Sequence, residues 1–163
     1  MPTVSDTSPI SNLAYIGRLD LLREQFSELF IPQAVQTELL NLPVASIRKV
    51  IDDAKRAGWL KVQPATNTSL ITLLMVELHA DEAEAIALAL EMKADRLLLD
   101  ERDGRAVARH LGLPTTGALG VLLRAKKTGR IHAIKPEIAT LRRKAGFFIG
   151  PALEAAILTE AGE

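Results

Sequence analysis

The 163-residue sequence contains no cysteine, and that absence excludes disulfides, thiolate chemistry and cysteine-based zinc sites together. Aromatic residues are scarce, at 4%. The core therefore has to be aliphatic, built from Leu, Ile, Val and Ala, and the alanine-rich stretches favour helix. No apolar run approaches the roughly 20 residues of a membrane span. Met1 to Asp6 lacks the basic start and long apolar stretch of a signal peptide. These features fit a reducing cytoplasm and no membrane attachment. An excess of one charge sign is missing too, since 20 Lys plus Arg balance 20 Asp plus Glu. Proteins that coat nucleic acid by bulk charge are usually strongly basic, so any contact with RNA has to run through a local patch.

What is present reads as one compact unit. Hydrophobic residues make up 48% and charged residues 25%, close to an ordinary globular average, and a chain this long can bury about two-thirds of its unfolded surface. There is no internal repeat, low-complexity segment or linker, so a single domain over residues 1–163 is expected. Its strands are expected at Pro2–Asp6, Glu28–Ile31, Trp59–Gln63, Arg96–Leu99 and Leu113–Thr115. A turn at Thr7-Ser8-Pro9 leads into a helical pattern from Ile10 to Phe26, broken near Gly17, with Asp20 capping its second half. Further helices are expected at Pro32–Leu40, Val44–Ala57, Leu70–Leu78, Asp81–Met92, Gly104–Leu111 and Gly117–Lys127. C-terminal helices fill the chain from about residue 136, over Pro136–Lys144 and Pro151–Thr159. Short strands alternating with helices predict an α/β fold, a three-layer α/β/α sandwich around a mostly parallel sheet.

Open parallel sheets place their sites beyond the carboxyl ends of the strands. Asp6 follows the first strand and Asp100 follows Arg96–Leu99. Either acid alone reads equally well as a turn former, but strand ends in a parallel sheet converge, so the pair carries more weight. Glu38 lies three residues after Val35 and four after Ala34, and so borders the apolar stripe of its helix; its ordinary reading is a solvated glutamate. Asp81 and Glu84 have the spacing of a capping box. That leaves Glu82 without a structural job and makes it the sharper functional candidate of the three.

Were Asp6, Glu38, Glu82 and Asp100 to converge, their repulsion would need an answer. Two unit charges about 5 Å apart repel by about 3 kcal/mol at an effective dielectric of 20. Either protons are shared or a divalent cation neutralises the cluster. Oxygen ligands, no cysteine and only His79, His110 and His132 elsewhere favour Mg²⁺ or Mn²⁺ over zinc. Such a site suits phosphodiester hydrolysis.

The residues also carry a family resemblance. Val4-Ser5-Asp6-Thr7-Ser8-Pro9, Asn12-Leu13, Ile31-Pro32 and Glu38-Leu39 resemble the opening of PIN-domain proteins. The stretch Glu82 to Ala89, then Leu97-Leu98-Leu99-Asp100-Glu101, Gly104-Arg105, Thr116 to Leu123 and the terminal Ala161-Gly162-Glu163, resemble the DUF3368 subgroup. The resemblance implies a nuclease related to VapC-type toxins, an endoribonuclease using Mg²⁺ or Mn²⁺. It assigns metal-binding and catalytic roles to Asp6, Glu38, Glu82 and Asp100, with Glu84, Glu101 and Asp103 as accessory acids. One departure stands out: Asp81 occupies the place of a glycine before the Glu of the third motif, which leaves open which of Asp81, Glu82 and Glu84 faces the metal.

Ser8 can orient a carboxylate or a metal-bound water, or simply form a Ser-Pro turn. Thr116 can sit near the metal, or cap the helix starting at Gly117. Arg102, Arg105 and Arg109 share one helix face beside Asp100; they read as a solvated face or, for Arg102 and Arg105 above all, as RNA contacts. The expected partners are an RNA substrate, a small antitoxin protein and a second copy in a homodimer. A housekeeping RNA-processing nuclease and a non-catalytic PIN-like scaffold are the rival readings.

Overall fold

A computed structural model describes residues 2–163. Five strands, β1 (Thr3–Ser5), β2 (Leu29–Ile31), β3 (Leu60–Val62), β4 (Arg96–Leu98) and β5 (Thr115–Thr116), form one sheet in the order β3-β2-β1-β4-β5. Every pairing is parallel, with Val4 opposite Phe30 and Leu97, and Ser5 opposite Leu98. The helices are α1 (Thr7–Tyr15), α2 (Asp20–Phe26), α3 (Gln33–Leu40), α4 (Ala45–Arg56), α5 (Thr68–Leu74), α6 (Ala80–Glu91), α7 (Arg102–His110), α8 (Ala118–Lys127), α9 (Lys135–Thr140) and α10 (Pro151–Glu160). A π-helical turn, Leu141–Ala145, continues α9. The expected three-layer α/β sandwich is the observed architecture.

The pleat sorts the core into two layers, because successive strand residues face opposite sides. Leu29, Ile31, Leu60 and Leu98 join the cluster under α1, α2, α4 and α8. Val4, Leu97 and Leu99 join the cluster under α6 and α7. Leu97, Leu98 and Leu99 are all fully buried, which explains why that strand reads as an unbroken apolar run; each contributes about 1.5–3 kcal/mol of burial.

Several expected boundaries shift for identifiable reasons. Thr7-Ser8-Pro9 is the first turn of α1, not a separate turn, since proline is tolerated where helical N–H groups have no partner anyway. The break near Gly17 stands, with φ +71 there. The helix expected at Leu70–Leu78 instead runs over Thr68–Leu74, started by the Asn67 side chain, which accepts from the Leu70 N–H at 3.1 Å. Thr116 is not a helix cap: it belongs to β5, its hydroxyl accepts from Arg96 Nη1 at 2.8 Å, and Gly117 is the residue that caps α8. The terminal Glu163 has a structural role. Its carboxylate accepts from the N–H groups of Ile134 (2.7 Å) and Lys135 (3.2 Å) and pairs with Lys126 (3.1 Å), tying the C-terminus to the start of α9.

The chain leaves β1 towards β2 on one side and β4 towards β5 on the other. The switch point, where a crevice opens between diverging connections, therefore lies at the carboxyl ends of β1 and β4. Asp6 and Asp100 are the residues there.

Candidate active site

Asp6 takes extended backbone as it caps α1, and its N–H donates to the Leu98 carbonyl at 2.9 Å. Its side chain makes no capping bond and is wholly buried, and neither carboxylate oxygen has a hydrogen-bond partner among the described residues. An orphaned buried polar group is costly. The nearest company makes matters worse, for the Asp81 carboxyl, from the first turn of α6, comes within hydrogen-bonding reach of Asp6 once one of them holds a proton. Burial first, then Asp81, and then the charge of Glu82 push Asp6 up to about 9, against the pull of the nearby Thr7 backbone N–H, which forms no full hydrogen bond. Burial and crowding thus favour a protonated carboxyl at this centre at neutral pH.

Alanine is what lets α6 bring Asp81 so close. The helix packs on α3, α5, β1 and β4 at once, and Ala83, Ala85, Ala87 and Ala89 are buried almost all round it. Glu38 reaches the same centre from α3. Burial raises its pKa and Asp81 adds to that, while Thr7 and the His79 imidazole oppose it. Thr7 Oγ1 lies near enough to favour the ionised glutamate without a formed hydrogen bond. Much of Glu38 nonetheless remains in solvent. The cluster is closed at Asp6 and open at Glu38.

The first turn of α6 corrects the expected capping arrangement. The residue that reaches back is Glu82, whose Oε2 accepts from the His79 N–H at 3.0 Å, and Glu84 instead accepts from the Ala34 N–H at 3.2 Å, bracing α3 against α6. Asp81 is thereby the acid turned towards Asp6 and Glu38. Glu82 is buried beside it, raised by burial and by the charges of Asp81 and Glu101 against the pull of the His79 N–H. Gly104 of α7 packs over it: a Cβ there would sit 3.1 Å from Glu82 Oε1.

Asp100 has a different setting. It continues the pleat of Leu98, whereas Asp6 continues that of Val4, so Asp100 turns towards α1 and α8. Its Oδ1 accepts from the Ala118 N–H at 2.8 Å and its Oδ2 from Asn12 Nδ2 at 3.2 Å. Burial still raises its pKa, although those two donors and Arg105 oppose the rise. Gly117 is required here by space alone, because a Cβ would meet Asp100 Oδ1 at 2.5 Å and Arg105 Nη1 at 2.9 Å. Of the remaining candidates, Ser8 lies in the first turn of α1, Glu101 caps α7 and Asp103 is exposed in the first turn of α7.

Among the described residues no three Asp, Glu or His side chains form a ready-made cation cage. Mg²⁺ does not need one, since it keeps several waters and takes only one or two carboxylates. The donors on offer are hard oxygens, two of them buried without partners on Asp6. The residues fit a hard divalent cation.

With this arrangement in view, the family comparison is decisive: the DUF3368 profile, described as a PIN domain, matches residues 2–163. The chain belongs to this PIN-domain family. A PIN domain has a nuclease fold, and such nucleases typically use divalent metals. No curated protein matches the chain.

Two residues of this PIN domain's site are hard to see in its sequence. Asp81 is masked by its position in a helix's first turn, where acids suit the dipole anyway. Asn12, which holds Asp100, enters the sequence only through the Asn12-Leu13 resemblance, because it stands among the other small polar residues of α1, Thr7, Ser8 and Ser11.

Proposed function

We propose that this PIN domain is a metal-dependent endoribonuclease, using Mg²⁺ or Mn²⁺, and the toxin of a toxin–antitoxin pair. The observation that carries the nuclease reading is the buried, unpartnered Asp6 carboxylate held against a second carboxylate at the switch point of the sheet. Such a cluster is relieved only by a retained proton or a bound cation, and an inactive scaffold would have no use for it. Asp6, Glu38 and Asp81 would hold the ion, with Glu82 as an adjoining acid and Asp100 on the facing side of the crevice. When bound, a divalent ion supplies charge neutralisation at a phosphate and a more acidic water. The chain's own part is to orient these oxygens: Asn12 and the Ala118 N–H fix Asp100, and the His79 N–H fixes Glu82. The proton held between Asp6 and Asp81 would have to leave as the ion enters.

The toxin role, a small antitoxin partner, a homodimer and a cytoplasmic location rest on the family relation. Among the described residues no helix is long and apolar enough to cross a membrane. An antitoxin could block the centre by placing an Arg or Lys among the carboxylates.

The test uses purified protein and labelled RNA with Mg²⁺, with Mn²⁺ and with EDTA, beside Asp6→Asn. Cleavage that needs the ion and disappears in the variant supports the reading; equal cleavage by the variant overturns it. Expression in a bacterial host, with and without the neighbouring gene, addresses the toxin role. Normal growth without the neighbour, despite folded protein that cuts RNA in vitro, would favour a housekeeping nuclease.

A further inference from the structure

On the α8 side of Asp100, away from the acid cluster, a groove of about 860 Å³ runs between α7 and the C-terminal segment. Its α7 wall carries Arg102, Arg105 and Arg109, which fall on one helix face at three- and four-residue steps. Its opposite wall carries Phe148 and Leu153, which are 87% and 52% exposed.

Phe148 is displayed by a braced segment. Gly146, at φ +64, turns the chain out of the π-helical turn. Phe147 then packs against the core and Ile149 is buried, so alternation throws Phe148 outwards between them. Arg142 clamps the segment, donating to the Ile149 carbonyl at 3.1 Å and pairing with Glu154 at 2.5 Å. A large apolar ring held in water by fixed backbone is unfavourable on its own. It opposes a row of guanidiniums, with one end of the groove at Asp100.

We propose that this groove carries a single-stranded RNA past Asp100, with Phe148 as a base-stacking platform and Arg102 and Arg109 gripping phosphates. The proposal rests on the nuclease reading above and adds the form of the substrate and the residues that seat it. The chemistry of the two walls selects the occupant. An apolar protein face, or a second copy of this chain, would satisfy Phe148 but bury guanidiniums without partners, which is costly. A nucleic-acid strand offers phosphates to one wall and flat bases to the other. A duplex keeps its bases stacked inside and cannot present one to Phe148. The groove is no larger than sites that take small molecules, so it seats only a few nucleotides. It also explains how a chain with balanced charge can hold a polyanion.

The experiment measures fluorescence-anisotropy binding of a short labelled RNA, single-stranded and as a duplex, to the full chain in EDTA. Wild type is compared with Phe148→Ala, Phe148→Trp and the double variant Arg102→Ala/Arg109→Ala, each checked for an unchanged melt and elution volume. The expected result is single-strand binding weakened about tenfold by Phe148→Ala, as for one lost base stack, and restored by Phe148→Trp. The double variant should lower the slope of log affinity against log salt by about 1.4. Cleavage by wild type with Mg²⁺ or Mn²⁺, combined with variants that bind and cut as wild type does, would overturn the groove and leave the nuclease standing. Binding with the stated dependences but no cleavage would leave the groove and remove the nuclease. A Phe148→Ala protein that changes its oligomeric state and keeps its RNA affinity would make this face a contact between copies, and a wild type that binds no single strand would also overturn the groove.

Discussion

Replacing Asp6 with Asn should make the metal-free protein more stable, and the size of the gain should depend on pH. In the folded protein Asp6 is pushed from 3.8 up to about 9, so the folded state holds its proton where the unfolded chain has lost it. A carboxyl of this kind imposes no penalty below about pH 4. It then lowers stability progressively as pH rises, until the folded group also ionises near 9. At pH 7 the interval is 3.2 pH units above 3.8, and at 1.36 kcal/mol each the penalty is about 4 kcal/mol at most. Sharing of the proton with Asp81 makes that an upper bound. Asn keeps the size, cannot ionise, and offers an N–H to Asp81. For a chain of this length about 1 kcal/mol corresponds to roughly 2–4 °C, so the variant should melt several degrees above wild type at pH 7 in EDTA. The assay is thermal unfolding of both proteins from pH 4 to pH 9. The two melts should coincide near pH 4 and separate as pH rises. A variant that melts lower than wild type at pH 7, or a gap that ignores pH, would refute the reasoning and make Asp6 mainly a structural cap.

The same proton predicts linkage with the ion. Mg²⁺ or Mn²⁺ binding should tighten from pH 6 to pH 8 and release protons, seen as a buffer-dependent heat in calorimetry, whereas pH-independent heats would mean the ion bypasses Asp6. Asp81→Asn should abolish ion binding and lower cleavage by about a hundredfold or more, while Glu82→Ala should mostly cost about 1 kcal/mol of helix capping in a denaturant melt; the reverse pattern would return the metal to Glu82. Gly117→Ala should push Asp100 from its place, since the added carbon would lie 2.5 Å from Oδ1, costing about 1–3 kcal/mol in stability and most of the cleavage; a near-normal rate would show that Asp100 is not needed where it stands.

The order of strands and helices, the parallel sheet and the acids at strand ends were legible in the sequence, because each depends on local periodicity and on where a strand stops. Leu97-Leu98-Leu99 followed by Asp100 could be read as a buried strand ending in an acid. So could Glu38 at the border of an apolar stripe. The rotation of α6 could not. Asp81, Glu82 and Glu84 stand within about one turn, and each suits a helix N-terminus, so spacing alone does not choose among them. The choice is made by packing: α6 is squeezed against α3, α5 and the sheet through its alanines, which sets its rotation. His79 takes Glu82, Ala34 takes Glu84, and Asp81 is left against Asp6. The groove beside Asp100 is likewise a tertiary product, since Arg102 and Phe148 are 46 positions apart in the chain and line one groove only because Gly146 turns the segment after α9 back towards α7 and α8.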